Sequence, residues 1–79
     1  MDIYDHYEEA KKIAALLAAQ GMASESVQIL DAIKDGTSGT EIFMILRFRL
    51  TPLLNAQGLS KDTKERMRIL HTKLDEALQ

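Results

Sequence analysis

Ser38-Gly39-Thr40-Glu41-Ile42-Phe43-Met44-Ile45-Leu46-Arg47-Phe48-Arg49-Leu50 decides how this 79-residue chain folds. Ser38 and Glu41 have the S-x-x-E spacing of a capping box, in which each side chain satisfies a backbone donor at the start of a helix. A helix therefore begins here. From Ile42 to Leu50 seven of nine residues are apolar, Arg47 and Arg49 being the exceptions, and a helix apolar on nearly all sides must be covered on nearly all sides. The run is short enough for a strand, but the cap before it and Leu53-Leu54 beyond it carry the pattern past ordinary strand length. Pro52 removes the hydrogen bond to the Phe48 carbonyl. The helix thus kinks there or stops near Leu50, with Thr51 capping a short new turn that has proline at its first position.

Upstream, residues 3–20 place Ile3, Tyr7, Ala10, Ile13, Ala14 and Leu17 on one stripe at spacings of three and four, which predicts a first helix. Gly21 stands where a left-handed C-terminal cap belongs, and Met22 where a Schellman motif packs a hydrophobe back onto Leu17. Ser24 is placed to cap a second helix near 24–35, with Val27, Leu30 and Ile33 as its apolar positions and Gly36 as its stop. Downstream, Gly58 ends the segment after Pro52. Ser60 then caps a fourth helix carrying Met67, Leu70, Leu74, Ala77 and Leu78 on one side. The connections are too short for parallel-sheet crossovers, and strand-type alternation is absent. The reading is all-α: a single helical-bundle domain over residues 1–79, a compact antiparallel bundle of four main helices, its third helix central and kinked or broken near Pro52.

Such a chain has a small core, and without cysteine it has no disulfide, thiolate metal site or thiol nucleophile. An apolar fraction of 46% with 28% charged residues fits a folded domain rather than a disordered one. Acids at Asp2, Asp5, Glu8 and Glu9 occupy the place where a signal peptide carries positive charge. No run approaches the roughly 18 apolar residues of a membrane span, so a soluble, cytoplasmic protein with no membrane partner is expected. The net charge of −2 opposes general nucleic-acid binding, which needs a basic surface.

That total conceals an asymmetry: through Glu41 there are eight acids and three bases, and beyond it seven bases and four acids. Asp2, Asp5 and Glu9 fall on one side of the first helix, and Asp31 and Asp35 lie one turn apart on the second. Like charges at that spacing repel, so neither cluster helps its own helix through the pair. A solvated face accounts for them, and so does a binding face. Arg47 and Arg49, set inside the most apolar segment, need carboxylate or carbonyl partners, such as Asp31 or Glu41, or an interface.

Catalytic and cofactor chemistry finds little footing. His6 has Asp2 four residues before it and Glu9 three after, a spacing that permits a small metal site. The di-iron bundle motif, however, runs Glu-x-x-His from two helices, and this is a single His-x-x-Glu, so no metal and no cofactor is expected. No G-x-S-x-G, P-loop or dinucleotide-binding motif is present. A helix-turn-helix reader would offer bases only the two arginines of residues 42–50, which opposes DNA recognition. Acyl carrier proteins share the length and acidity, but Ser38 follows Thr37 and precedes Gly39 where that family has Asp-Ser-Leu. Enzymatic activity is not expected.

In Ala32-Ile33-Lys34-Asp35-Gly36-Thr37-Ser38-Gly39-Thr40-Glu41-Ile42-Phe43-Met44-Ile45-Leu46-Arg47, a helix ends in an Ala-Ile pair and glycine, then come a Gly-Thr-Glu-Ile turn, Met and Leu-Arg. On that pattern, residues 23–50 resemble the small all-helical immunity proteins of bacterial polymorphic and contact-dependent growth-inhibition toxin systems. The motif is a stop, a cap and a core helix, so it transfers no functional residue. What the resemblance implies is a class: a small cytoplasmic protein without enzymatic activity that blocks a cognate toxin domain by binding it. Many such toxins are nucleases with basic surfaces, which an acidic face would find quickly. The expected contact residues are therefore Asp2, Asp5, Glu9, Asp31 and Asp35. The alternative is a structural or regulatory bundle that self-associates, as a homodimer for instance, because four helices of this length do not readily cover Phe43, Met44 and Phe48.

Overall fold

A computed structural model describes residues 3–79. The Asp5 carboxylate accepts from the backbone N–H groups of Tyr7 and Glu8, both at 3.1 Å, so α1 spans His6–Ala19 and Ile3, ahead of the cap, is exposed. Ala10, Ile13, Ala14 and Leu17 form its inward stripe. Gly21 adopts φ +88°. The Met22 N–H donates to the Leu17 carbonyl at 2.8 Å and the Gly21 N–H to that of Ala18 at 3.3 Å. These are the paired bonds of the Schellman motif, and Met22 packs against the core as its place in that motif predicts.

In α2, Ala23–Asp35, the expected register fails. Met22 rather than Ser24 holds the N-cap position, with no side-chain bond, and the buried residues are Ser26, Ile29 and Ala32. Val27 and Leu30 are left 54% and 44% exposed. The Schellman turn sets the direction in which α2 leaves α1. Small residues are among those buried on both helices, Ala10 and Ala14 on α1 and Ser26 and Ala32 on α2, and these two helices make the most extensive pairing in the molecule.

The capping box forms with one difference. Ser38 Oγ accepts from the Glu41 N–H at 3.1 Å, but the Glu41 carboxylate reaches past Ser38 to the Thr37 N–H at 3.2 Å and the Thr37 hydroxyl at 3.0 Å. Gly36 is there for room and not for an unusual φ, which is −69°. A Cβ at Gly36 would overlap Ile42 Cγ1 and lie 3.2 Å from both Ile42 Cα and the Ala32 carbonyl oxygen. The next helix, α3, spans Gly39–Leu50 and stops rather than kinks. A 3-10 helix, Thr51–Asn55, continues from it with Pro52 in its first turn. Thr51 does not cap that turn; its hydroxyl donates back to the Arg47 carbonyl at 2.8 Å. Ser60 Oγ accepts from the Thr63 N–H at 3.2 Å to open α4, Lys61–Leu78. Met67, Leu70 and Leu74 are buried, whereas Ala77 is exposed.

α1 and α3 each pack against both α2 and α4, making an all-α bundle of four main helices around Ile13, Leu17, Ile29, Leu46, Leu50, Met67, Leu70 and Leu74. Gln20 ties the end of α1 to the start of α4: its Nε2 donates to the buried Thr63 Oγ1 at 2.7 Å, and its Oε1 accepts the Ser60 N–H at 2.8 Å. The all-round cover expected for α3 is absent. It buries only Leu46 and Leu50, while Met44 and Phe48 are 52% and 71% exposed.

Two substitutions test the α2–α3 turn. Gly36→Ala should destabilise by about 1–3 kcal/mol through overpacking against Ile42, and Ser38→Ala by about 0.5–2 kcal/mol through loss of the cap. Urea unfolding midpoints read both, and an unshifted midpoint in either variant contradicts this turn.

Candidate functional site

The five acids expected to bind a partner have separate fates. Asp2 lies outside the described residues. Asp5 caps α1. Glu9 turns toward α4, where both carboxylate oxygens accept from Arg66 Nη1 at 2.9 and 3.1 Å, and its side chain is only 17% exposed. Asp5 and Glu9 do share a shallow cleft of about 310 Å³ with Ile3, Tyr4, Glu8 and Lys12. Asp31 and Asp35 lie outside that cleft, exposed on α2.

Next to Glu9 and Arg66, the Tyr4 hydroxyl is buried and finds no partner among the described residues. Burial pushes the Tyr4 phenol up to about 12, with Glu9 adding to the shift and Arg66 opposing it. His6, considered above as a metal ligand, is a packing residue: its ring centroid is 4.6 Å from that of Phe43 and 5.1 Å from that of Tyr4. Among the described residues no three His, Asp or Glu side chains gather to hold a metal ion.

Two surfaces remain. The first is the solvent side of α2, where Asp31 and Asp35 accompany Val27 and Leu30. Among the described residues neither acid forms an ion pair. Asp35 is also the last residue of α2, at the negative end of its macrodipole, where a carboxylate is destabilising. Lys34, beside it in the last turn, offsets part of that.

The second surface follows α3 into the 3-10 helix. Met44, Phe48 and Pro52 recur at four-residue intervals and are all exposed. Phe48 stands between a cleft of about 400 Å³ on the α2 side, which Glu25, Gln28, Arg49 and Leu53 help to line, and one of about 500 Å³ on the α4 side, lined by Met44, Arg47, Thr51 and His71. Arg47 pairs with Asp75 of α4 at 2.7 Å, not with Asp31 or Glu41. Those acids are unavailable to it, since Asp31 points to solvent and Glu41 holds Thr37. Arg49 has no acidic partner among the described residues; its guanidinium carbon lies 5.7 Å from the Phe48 ring centroid.

Comparison with protein families, characterised proteins and solved structures finds no match to this chain. Thr51, His71 and Asp75 have the residue types of a hydrolytic triad: Thr51 Oγ1 is 3.0 Å from His71 Nε2, and His71 Nδ1 is 3.6 Å from Asp75 Oδ2. A nucleophile must give its proton to the base. The Thr51 hydroxyl has the Arg47 carbonyl as its acceptor at 2.8 Å, and His71 Nδ1 stands 3.6 Å from Asp75, beyond hydrogen-bond reach. Asp75 is held mainly by Arg47. The cluster reads as a tie between the end of α3 and α4.

Tyr4 supplies a test in alkali. Its phenol titrates higher in the folded protein than its ordinary 10.0, so the folded state holds the proton more tightly, and stability falls as pH rises from about 10 towards 12. Tyr4→Phe should remove that part of the alkaline loss and, by deleting an unpaired hydroxyl, leave stability at pH 7 unchanged or higher. Unfolding followed at both pH values checks it; an identical alkaline loss in the variant contradicts the burial of the hydroxyl.

Proposed function

We propose that this chain is a non-enzymatic bacterial immunity protein that neutralises a cognate toxin domain in the cytoplasm by binding it directly. The resemblance of residues 23–50 supports the class. The observation that carries the reading is the outer side of α2, where two acids one turn apart, without an ion pair among the described residues, accompany two outward apolar side chains. Acids that oppose each other and the helix dipole weaken the fold slightly. Placed on a contact surface they have a use: they draw in a basic partner such as a nuclease cleft, while Val27 and Leu30 supply apolar area to bury on docking. Asp5 and Glu9, engaged in the cap and the Arg66 pair, are left out of this contact.

The test uses the toxin-type protein encoded beside this gene, assayed for complex formation and for rescue of growth. Reversing Asp31 and Asp35 to lysine should slow association more than it speeds dissociation, and the difference should shrink as salt is added. Asp35→Lys alone should raise stability by about 0.3–1 kcal/mol at low ionic strength, because it places a cation at the helix C-terminus. Rescue and association rates unaffected by the double reversal contradict the proposed surface. Absence of binding to the neighbouring protein contradicts the function.

A further inference from the structure

We infer that the Phe48 face of α3 docks a second copy of this chain about a two-fold axis. Phe48 projects from the bundle opposite the side of α3 that buries Leu46 and Leu50. Immediately beside it is the cleft of about 400 Å³ on the α2 side. A projecting side chain next to a cavity on one surface is self-complementary under a two-fold operation: the Phe48 of each copy enters the cleft of the other. The wall of that cleft includes Leu53 and Pro52, which give an entering ring apolar contact.

Charge identifies the occupant. Glu25 and Arg49 line the same cleft, and among the described residues neither forms an ion pair. An acidic partner would confront Glu25 with like charge, and a basic one would confront Arg49. A second copy offers Arg49 to Glu25 and Glu25 to Arg49, twice in one interface. The cleft takes only Glu25 and Gln28 from α2 and none of Val27, Leu30, Asp31 or Asp35, the residues proposed to meet the toxin, so substitutions in the two sets test the two readings separately.

Sedimentation equilibrium of the whole chain from about 1 µM to about 1 mM, a range covering weak dimers, tests the inference. The wild type should pass from monomer to dimer within it. Phe48→Ala should weaken the dimer at least about tenfold, as loss of a central aromatic anchor does. Glu25→Arg and Arg49→Glu should each weaken it, and the two together should restore it, because the swapped pair is again complementary across the axis. Circular dichroism confirms that each variant is folded; Arg49→Glu, at an exposed position, keeps the test decisive if Glu25→Arg loosens α2. A wild type monomeric throughout, a Phe48→Ala protein that dimerises equally well, or a double swap that fails to restore association overturns the inference. None of these outcomes bears on toxin binding through α2.

Discussion

The interior enclosed by four short helices accepts one stripe of side chains from each, and among the described residues no further layer covers what is left over. The limit bears hardest on α3. Leu46 and Leu50 fill its share of the core completely, and the remaining apolar residues of that helix lie at its flanks or face water. α2 meets the same limit differently: it has more apolar residues than its inward side can hold, and the close pairing with α1 selects the side bearing small residues. The surfaces available for binding follow from what the core excludes.

Signals that act within one turn of chain were legible in the sequence. Gly21 and Met22 form the Schellman motif and Ser38 and Ser60 cap their helices, because each depends on neighbours within a few residues, but Ser24 and Thr51, read as caps in the same way, do not cap, and Pro52 left a kink and a stop of α3 equally open. The inward side of α2 depends on α1. Ser26, Ile29, Ala32 and Ile33 recur at spacings of three and four as well as Val27, Leu30 and Ile33 do, and only the packing decides between them. Gly36 carried a stop signal, but its stronger reason is the approach of Ile42, a contact across the turn. The Arg47 pair with Asp75 and the Gln20 clamp on Thr63 join residues 28 and 43 positions apart. No local pattern marks such partners.

The candidate site was legible only in part, for a related reason. Charge clustering located acids but not their obligations. Asp5 is of the residue type preferred immediately before a helix, but the stripe beginning at Ile3 placed it inside the helix and hid that role, whereas the engagement of Glu9 with Arg66 follows from α1 lying against α4. Asp31, expected as a possible partner of Arg47 or Arg49, instead faces solvent with Asp35, and among the described residues neither forms an ion pair. The exposure of Phe48 runs against the all-round cover first expected of the third helix and agrees with the alternative, in which Phe43, Met44 and Phe48 are left uncovered, at Met44 and Phe48 but not at half-buried Phe43; its place between two clefts, with Glu25 and Arg49 lining one of them, required the packed bundle.

Opposite sides of a single turn of α3 allow the limited interior to be measured directly. Urea unfolding of Leu46→Ala and Phe48→Ala, at concentrations where the chain is monomeric, compares a side chain inside the stripe with a larger one outside it. The bundle described here predicts a loss of about 2–5 kcal/mol for Leu46→Ala, from transfer and cavity effects, and a change within about 0.5 kcal/mol for Phe48→Ala, as for a surface substitution. Equal losses, or a greater loss at Phe48, would contradict the placement of α3 and the surfaces derived from it.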